Sequence, residues 1–286
     1  MRRRGHIHAP AILLIAAIGS ACTPEPPPRR ALTPAPLISR GRPVASSPPG
    51  GAVVVDGVYR TADAWAGGMP TPGRPSWVAI DVGRGPSRIL VSWTSSGNHD
   101  WLDRKYGAPV DYRIETSADS TDGADGTWRT ALTVTGNPAR SRAHAVDFRG
   151  QRWVRMVVTG LSPDVAYGLF LDEVDVHDVS RGGDDVWVFF GDSITSQVYD
   201  RAPGHQPSFS EVVARSHPGF FPATVSAGFG SLHHFDAVRR IDEVLEANPE
   251  ARVIALGFGS NDWNPDAFRG DLVEVVRKVQ AAGRIP

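Results

Sequence analysis

Asp185-Val-Trp-Val-Phe-Phe190 leads without a break into Gly191-Asp-Ser-Ile-Thr195, and this junction decides how the second half of the chain folds. The first six residues form an almost continuous apolar run, which is typical of a strand buried on both faces of a parallel sheet. The polar residues that follow stand at the carboxyl end of that strand. Because open α/β sheets bind their ligands at this edge, we expect Ser193 to face a site.

The same arrangement recurs twice downstream. Phe221–Val225 is a second apolar run and precedes the loop Gly228-Phe-Gly-Ser231, and Arg252–Leu256 precedes Gly259-Ser-Asn-Asp262. Loops that follow neighbouring parallel strands lie at one edge of the sheet. Three polar, glycine-containing loops in this order therefore predict that the site is built from all three.

Helical patterns separate the predicted strands. Helices are predicted at Phe209–Ser216, at His234–Ala247 and after Asn264, which is a good N-cap residue, with Pro265 at the first helical position. An alternation of strands and helices predicts an α/β fold with a parallel sheet, here over residues 183–286.

The loops also carry a family resemblance. Val-Phe-Phe-Gly-Asp-Ser-Ile-Thr and Gly-Ser-Asn-Asp resemble the first and third conserved blocks of the GDSL, or SGNH, hydrolases, and the middle loop resembles the second block. The resemblance implies a flavodoxin-like sheet and ester hydrolysis with Ser193 as the nucleophile. Asn261 and the backbone N–H groups of Ser193 and a second-block residue would stabilise the oxyanion. Residue type favours Gly230 for that second-block residue, a gapless match favours Ser231, and Gly228 is the third candidate.

A serine nucleophile also needs a base. In the resembled family the base is a histidine of a late Asp-x-x-His block, and no such block follows Asn261 in this sequence. Only three strands are predicted, whereas sheets average about 5–6, and a further strand would begin at Arg284-Ile-Pro286. We therefore expect the hydrolase domain to be incomplete at its C-terminus. His233 and His234, just after the second block, are the candidates for a substitute base.

Residues 51–180 show a different pattern, of short strand-like runs separated by Gly, Pro, Asp and Asn. The candidate strands are Trp77–Val82, Arg88–Trp93, Asp111–Ser117, Trp128–Thr135, His144–Phe148, Arg152–Val158 and Tyr167–Val176. Side chains inside them alternate in polarity, and helical periodicity is absent. Several short strands of this kind predict a β-sandwich.

Three segments of this region carry a second resemblance. They are Tyr112-Arg-Ile-Glu-Thr-Ser-Ala-Asp-Ser120, Gly126-Thr-Trp-Arg129 and Phe148-Arg-Gly-Gln-Arg-Trp-Val-Arg155. Together with Asn137 they resemble galactose-binding-like jelly-roll modules, which are related to discoidin and coagulation-factor C-type domains. The resemblance implies the fold more strongly than a ligand. Six of the eight tryptophans lie in this half of the chain. Packing in the core is the commoner role of a tryptophan, but Trp93 and Trp101 flank a polar loop and are the candidates for stacking on a sugar.

The first 50 residues have the layout of an export signal and a tether. A basic start, the apolar run Ala11–Ile18 and small residues precede Cys22, which predicts residues 1–22 to be a bacterial signal peptide with Cys22 as the lipid-modified residue. The run is too short to span a bilayer. Ordinary secretion and a retained anchor are the alternatives. Residues 23–50 hold nine prolines and predict an extended linker.

Composition excludes several other classes of protein. The 30 basic and 31 acidic residues leave a net charge of −1, which does not favour nucleic-acid binding. The first 50 residues hold seven Arg and one Glu, so the remaining 236 hold 23 basic and 30 acidic residues. A single cysteine excludes a disulfide framework and a Cys-rich zinc module. We expect no metal and no cofactor.

These features together predict an exported serine esterase of the SGNH type that deacylates (deacetylates) a polysaccharide outside the cell or in the cell envelope. The sandwich would bind the acylated carbohydrate, and a lipidated Cys22 would hold the protein at a membrane. The alternative is a carbohydrate-binding surface lipoprotein whose hydrolase domain is a relic without activity.

Overall fold

The computed structural model describes residues 31–59, 64–95, 107–161, 168–196 and 223–286, together with Val212 and Ser216. The predicted helix Phe209–Ser216 therefore lies largely outside the described residues.

In the described residues, the sandwich has ten strands. They are β1 Val44–Ser47, β2 Trp65–Gly68, β3 Ser76–Asp81, β4 Arg88–Thr94, β5 Pro109–Ser117, β6 Arg129–Val134, β7 Ser141–Asp147, β8 Trp153–Leu161, β9 Leu169–Leu171 and β10 Glu173–Asp178. One antiparallel sheet has the order β1-β3-β8-β5-β6, a second has the order β10-β4-β7, and β2 pairs with β9. The predicted β-sandwich is confirmed at the level of these sheets.

The core of the sandwich lies between the five-stranded and the three-stranded sheet. Its largest fully buried side chains are Ile80, Ile89, Trp93, Tyr112, Ile114 and Phe148. Tyr112 on β5 donates a hydrogen bond of 2.6 Å to His144 Nε2 on β7, so a polar pair joins the two sheets through the core. Burial raises the pKa of Tyr112 to about 12. Burial, with Arg142 nearby, lowers the pKa of His144 to about 3, so the imidazole is neutral and, in the tautomer protonated at Nδ1, accepts the hydrogen bond at Nε2.

The prediction that residues 23–50 form an extended linker is wrong for the second half of that range. Val44–Ser47 is the edge strand β1, paired antiparallel to β3, and Leu37 forms a bridge with His177. Prolines are tolerated on an edge strand because one side of it makes no ladder hydrogen bonds. This part of the chain is therefore packed against the sandwich and does not act as a spacer.

The predicted strand Tyr167–Val176 is also wrong in extent, because the structure splits it. Leu169–Leu171 pairs with β2, and Glu173–Asp178 pairs with β4 in another sheet. The break falls at Asp172, whose N–H donates to the carbonyl of Thr94. The change of sheet coincides with the acidic pair Asp172-Glu173, which follows the apolar residues Leu169–Leu171.

The remaining elements form a parallel sheet with helices. They are β11 Val186–Gly191, α1 Ser193–Ser196, β12 Ala223–Gly228, α2 His234–Ala247, β13 Val253–Gly257 and α3 Pro265–Ala281. The strands are parallel in the order β12-β11-β13, and Ile285 forms a further parallel bridge with Val253. This order, with the first strand between the second and third, is that of the flavodoxin-like doubly wound sheets.

Local sequence explains the two long helices. The helix predicted at His234–Ala247 is confirmed, with Ile241 and Val244 buried. α3 begins as predicted, because the Asn264 side chain accepts a hydrogen bond from the N–H of Ala267 and Pro265 occupies the first turn. Phe235, at the second position of α2, is 40% exposed.

The sandwich packs directly on the parallel sheet. Leu90 and Ala143, on the outer face of β4 and β7, share one apolar cluster with Val188, Phe190 and Val225 of the parallel sheet. The Nε of Arg142 also donates to the carbonyl of Ala247, at the end of α2.

Candidate functional site

Ser193 is the first residue of α1, at the carboxyl end of β11. Asp192 shapes the turn before it: its Oδ1 accepts from the N–H of Ile194 at 2.9 Å, and its carbonyl accepts from the N–H of Ser196 at 3.0 Å. The side chain of Ser193 is half-buried, and neither its hydroxyl nor its N–H makes a hydrogen bond with another described residue. Both groups are therefore available to a ligand within the described part of the site.

A row of glycines lets α1 approach the sheet. Gly191 pairs with Gly228 on one side and with Gly257 on the other, so the three lie side by side at the ends of their strands. A Cβ at Gly191 would lie 2.1 Å from Thr195 Oγ1, and one at Gly228 would lie 2.4 Å from the nitrogen of Ser196. The row therefore determines how closely Ser193 lies to the sheet edge.

The second loop follows β12. The N–H of Phe229 donates to the carbonyl of Gly191, which ties this loop to the strand before Ser193. Ser231 has a φ of +60°, a conformation that few side chains other than Asn and Asp adopt readily. Among the described residues, the N–H of Gly230 has no hydrogen-bond partner.

The third loop carries Asn261 and is tied to both other loops. The hydroxyl of Ser260 donates to Asp192 Oδ2, and Asn261 Nδ2 donates to the carbonyl of Leu232 at 2.9 Å. An amide nitrogen has two donors, so one N–H of Asn261 is left for a ligand. Ser193, Gly230 and Asn261 are thus carried by loops that are hydrogen-bonded to one another.

Two histidines at the start of α2 each pair with a carboxylate. His233 Nδ1 donates to Asp262 Oδ1 at 3.2 Å, and His234 Nδ1 donates to Asp271 Oδ2 at 2.6 Å. The backbone N–H of His234 also donates to Asp262. The pairs connect the second loop with the third and α2 with α3. Sequence patterns gave no sign of them, because the partners are 29 and 37 residues apart.

The prediction that Trp93 stacks on a sugar is wrong. Trp93 is 0% exposed and packs edge-on against Tyr112 at a centroid distance of 5.4 Å, so its ring has no surface for a sugar. Inward-facing positions of β4 belong to the core, and Trp93 occupies one of them. Trp101 and Cys22 lie outside the described residues.

Other aromatic rings are better placed. Trp263, two residues after Asn261, is 87% exposed, and the ring of His233 lies edge-on to it at 5.6 Å. On the outer face of the five-stranded sheet, the guanidinium of Arg155 lies 3.9 Å from the ring centroid of Trp128 and 5.4 Å from that of Trp77. The position of Trp263 next to the third loop was a signal in the sequence that could have identified it.

Within the described residues, no three His, Cys, Asp or Glu side chains come together in a group that could hold a metal ion. None of the helices in the described part of the chain is both long and apolar enough to cross a membrane.

Comparison with known proteins finds solved structures that are similar to parts of this chain. No protein-family model and no curated protein matches it. Chitosan-binding module 1 of a chitosanase/glucanase from Paenibacillus sp. IK-5 is 20% identical, with a TM-score of 0.38 over 49% of this chain and 98% of the module. The CpGH89CBM32-4 module produced by Clostridium perfringens is 15% identical, with a TM-score of 0.34 over 49% of this chain and 98% of the module.

AlinE4, an SGNH-hydrolase family esterase, is 25% identical, with a TM-score of 0.30 over 35% of this chain and 55% of the esterase. The chain thus spans about half the length of that enzyme. All three TM-scores are below 0.5, so the role of each part rests on its own geometry. Solved structures similar to parts of this chain therefore include carbohydrate-binding modules and an SGNH-family esterase, at low TM-score and partial coverage.

Proposed function

We propose that this protein is an exported serine esterase that removes acyl groups, such as acetyl, from a polysaccharide. The observation that carries the proposal is the joining of three loops at one edge of a parallel sheet. Asp192 accepts from Ser260, and Asn261 donates to Leu232, so the loops of Ser193, Gly230 and Asn261 are held together.

In this proposal Ser193 Oγ attacks the ester carbonyl carbon and its proton passes to a base. The carbonyl oxygen becomes an oxyanion, which the N–H groups of Ser193 and Gly230 and the amide of Asn261 stabilise. Loss of one such donor typically costs about 10²–10³ in rate. The sugar hydroxyl leaves with a proton from the conjugate acid, and water then releases the acyl group from Ser193 by the same steps.

In the resembled family this base is a histidine of a late Asp-x-x-His block. Among these 286 residues no histidine follows His234. In this proposal His233 and His234 hold the loops together. Their Nδ1 atoms donate hydrogen bonds to Asp262 and Asp271, respectively.

The sandwich is proposed to hold the polysaccharide near the catalytic edge, since it packs directly on the parallel sheet through Leu90 and Ala143. Export and attachment through a lipidated Cys22 are proposed from the basic start, apolar run and small residues of the first 22 positions.

The experiment measures hydrolysis of p-nitrophenyl acetate by the protein expressed from its complete gene. Ser193→Ala should abolish turnover. Ser196→Ala is the matched control, because Ser196 lies in the same short helix and its hydroxyl donates only to the carbonyl of Ser193. Equal turnover by Ser193→Ala and wild type would remove Ser193 from its role. Retention of polysaccharide with no turnover by the wild type would favour the non-catalytic carbohydrate-binding protein.

A further inference from the structure

A groove lies at one side of the sandwich, between β6, β7 and the residues that follow α2. Its volume is about 480 Å³, within the ~300–1,000 Å³ of typical ligand pockets. Among the described strands, β6 is an edge strand of the five-stranded sheet and β7 is an edge strand of the three-stranded sheet. The groove therefore lies where the two sheets of the sandwich are open to each other.

Apolar side chains form about half of the described lining. They are Leu132 and Val134 of β6, Ala143 and Ala145 of β7, and Pro249. Leu132 and Val134 are only partly buried, although both pack against the core of the sandwich. A ligand in the groove would cover apolar surface that the protein itself leaves uncovered, which favours binding of an apolar group.

His144 places a hydrogen-bond donor in this lining. The residue is 7% exposed, and its Nε2 accepts from the hydroxyl of Tyr112. In that tautomer the other ring nitrogen, Nδ1, carries the proton and is a donor. No described residue accepts a hydrogen bond from it. A donor without an acceptor on a buried side chain is costly, so a ligand that brings an acceptor oxygen is favoured here.

The charges of the described lining balance. Arg142 is its basic side chain and Glu250 its acidic one, and the low pKa of His144 leaves the imidazole neutral. Arg142 is fixed by hydrogen bonds from Nε to the carbonyl of Ala247 at 3.0 Å and from Nη1 to Asn137 Oδ1 at 3.3 Å. The groove therefore suits a neutral ligand better than an anion or a cation.

An acetyl group has the three properties that this lining selects. Its methyl group is apolar, its carbonyl oxygen accepts a hydrogen bond, and it carries no charge. Acetate esters and acetamides of sugars share this chemistry. A bare sugar hydroxyl does not, because it has no apolar surface to place against Leu132 and Val134.

The groove is remote from the edge that carries Ser193. Pro249 and Glu250 lie just beyond the end of α2, whereas His233 and His234 lie at its start, beside the loops of the site. At 1.5 Å per residue, the 14 residues of α2 span about 20 Å. An acetyl group in the groove is therefore not the one presented to Ser193, but both can belong to one polysaccharide chain.

We propose that this groove binds an acetyl group on a sugar unit of the polysaccharide, with the carbonyl oxygen accepting from His144 Nδ1 and the methyl group against Leu132 and Val134. The choice of polymer rests on the proposed function, and the groove adds a second acetyl site to the molecule. The protein then stays on regions of the polymer that are still acetylated and leaves regions that have lost their acetyl groups.

Isothermal titration calorimetry of the full chain tests the groove with two pairs of neutral trisaccharides. Triacetylchitotriose is compared with cellotriose, which has a hydroxyl in place of each acetamido group. Xylotriose that carries O-acetyl groups is compared with its deacetylated form, in Ser193→Ala so that the ester is not consumed. We expect the acetylated member to bind about tenfold more tightly, because a hydrogen bond and the burial of a methyl group each contribute a few-fold. The affinity should not change as salt is added. The pair that shows the preference identifies the group as an amide or an ester.

Substitutions of His144 locate the carbonyl oxygen. His144→Gln keeps an acceptor for Tyr112 but removes the donor at Nδ1, so the preference should fall to about threefold. His144→Asn keeps an amide N–H near the position of Nδ1 and should retain most of the preference. Thermal melting checks that both variants fold.

Substitutions on β6 locate the groove. Thr133→Trp, at an exposed position that lines the groove, should abolish the preference by filling it. Thr130→Trp is the matched control, because Thr130 is an exposed residue of the same strand and is not part of the described lining. It should leave the preference unchanged.

Equal affinity within both pairs of trisaccharides would overturn the inference, as would an unchanged preference in a folded His144→Gln or in Thr133→Trp. The first pair contains no ester, and binding is measured without turnover. Failure of the groove and failure of the esterase, which is tested by Ser193→Ala with p-nitrophenyl acetate, are therefore separate results.

Discussion

Ser260 donates a hydrogen bond from its hydroxyl to Asp192 Oδ2, and these two residues directly precede Asn261 and Ser193 in the chain. Asp192 is 1% exposed, and its other oxygen accepts from the N–H of Ile194. Both carboxylate oxygens therefore join backbone and side chains of the site. Asp192 therefore holds two loops together through both of its carboxylate oxygens.

Ser260→Ala should lower the free energy of unfolding by about 1.5–3 kcal/mol, because it leaves a buried carboxylate oxygen without its donor. Urea denaturation measures the change. Ser216→Ala, at an exposed position where the hydroxyl donates to the carbonyl of Val212, is the control and should change stability by less than about 0.5 kcal/mol. A Ser260→Ala variant as stable as the wild type would show that the bond between the loops is dispensable.

Gly191→Ala should destabilise the protein by about 3 kcal/mol or more, because its Cβ would lie 2.1 Å from Thr195 Oγ1 and 2.2 Å from the carbonyl oxygen of Gly257. Gly270→Ala is the matched control, since Gly270 lies in α3 with nothing within 4 Å of its added Cβ. That control should stabilise the helix by about 0.5–1 kcal/mol. Equal denaturation midpoints for the two variants would contradict the close approach of α1 to the glycine row.

The parallel strands and the two long helices could be predicted from the sequence because their signals are local. Asn264 and Pro265 begin α3 through contacts within one turn, and the apolar run before Gly191 is long enough to indicate a buried strand. The three loops then follow from topology, because parallel strands end at the same edge.

Features that depend on a distant partner could not be predicted. Val44–Ser47 is a strand only because β3 offers it an edge, and its own four residues have no strong pattern. Trp93 turns inward because Tyr112, 19 positions later in the sequence and on the other sheet, packs against it. The pairing of His233 with Asp262 likewise exists only after α2 and the third loop have come together.

Stability should depend on pH through His144. Its pKa is lowered to about 3 by burial and by Arg142, and that of an unfolded histidine is near 6.5. The unfolded chain therefore binds the extra proton first, so the stability due to a neutral His144 is complete above pH 6.5 and is lost as the pH falls towards 3. The slope in this window reaches up to about 1.4 kcal/mol per pH unit.

Urea denaturation from pH 7 to pH 4 checks this effect in the wild type and in His144→Gln, whose amide can still accept from Tyr112. Other groups, including Glu173, whose pKa burial raises well above its ordinary value, titrate in both proteins. The difference between the two curves therefore isolates His144. Parallel curves would mean that His144 is protonated to the same degree in the folded and unfolded chains.

The role of His233 can be tested with two substitutions. Asparagine places an amide nitrogen near the position of Nδ1, so His233→Asn keeps a donor for Asp262 but removes any base. We expect His233→Asn to hydrolyse p-nitrophenyl acetate almost as fast as the wild type and His233→Ala to be slower, because only alanine separates the two loops. A loss of about 10²–10⁴ in His233→Asn, the size expected for a missing general base, would instead make His233 the base.

Trp263 should bind the polysaccharide at the edge of the site. Its ring is 87% exposed, follows Asn261 by two positions and lies nearly perpendicular to the ring of His233, at a centroid distance of 5.6 Å. A stacked sugar would be worth about 0.5–1.5 kcal/mol, so Trp263→Ala should raise KM for an acetylated oligosaccharide about two- to tenfold. Met69→Ala removes another exposed apolar side chain, on the sandwich, and should leave KM unchanged.

Both variants should melt within about 2 °C of the wild type, because truncation of an exposed side chain seldom changes stability by more than about 0.5 kcal/mol. Equal KM values for Trp263→Ala and Met69→Ala would place the sugar away from the third loop, and the aromatic pair Trp77 and Trp128 on the outer sheet would then become the surface to substitute.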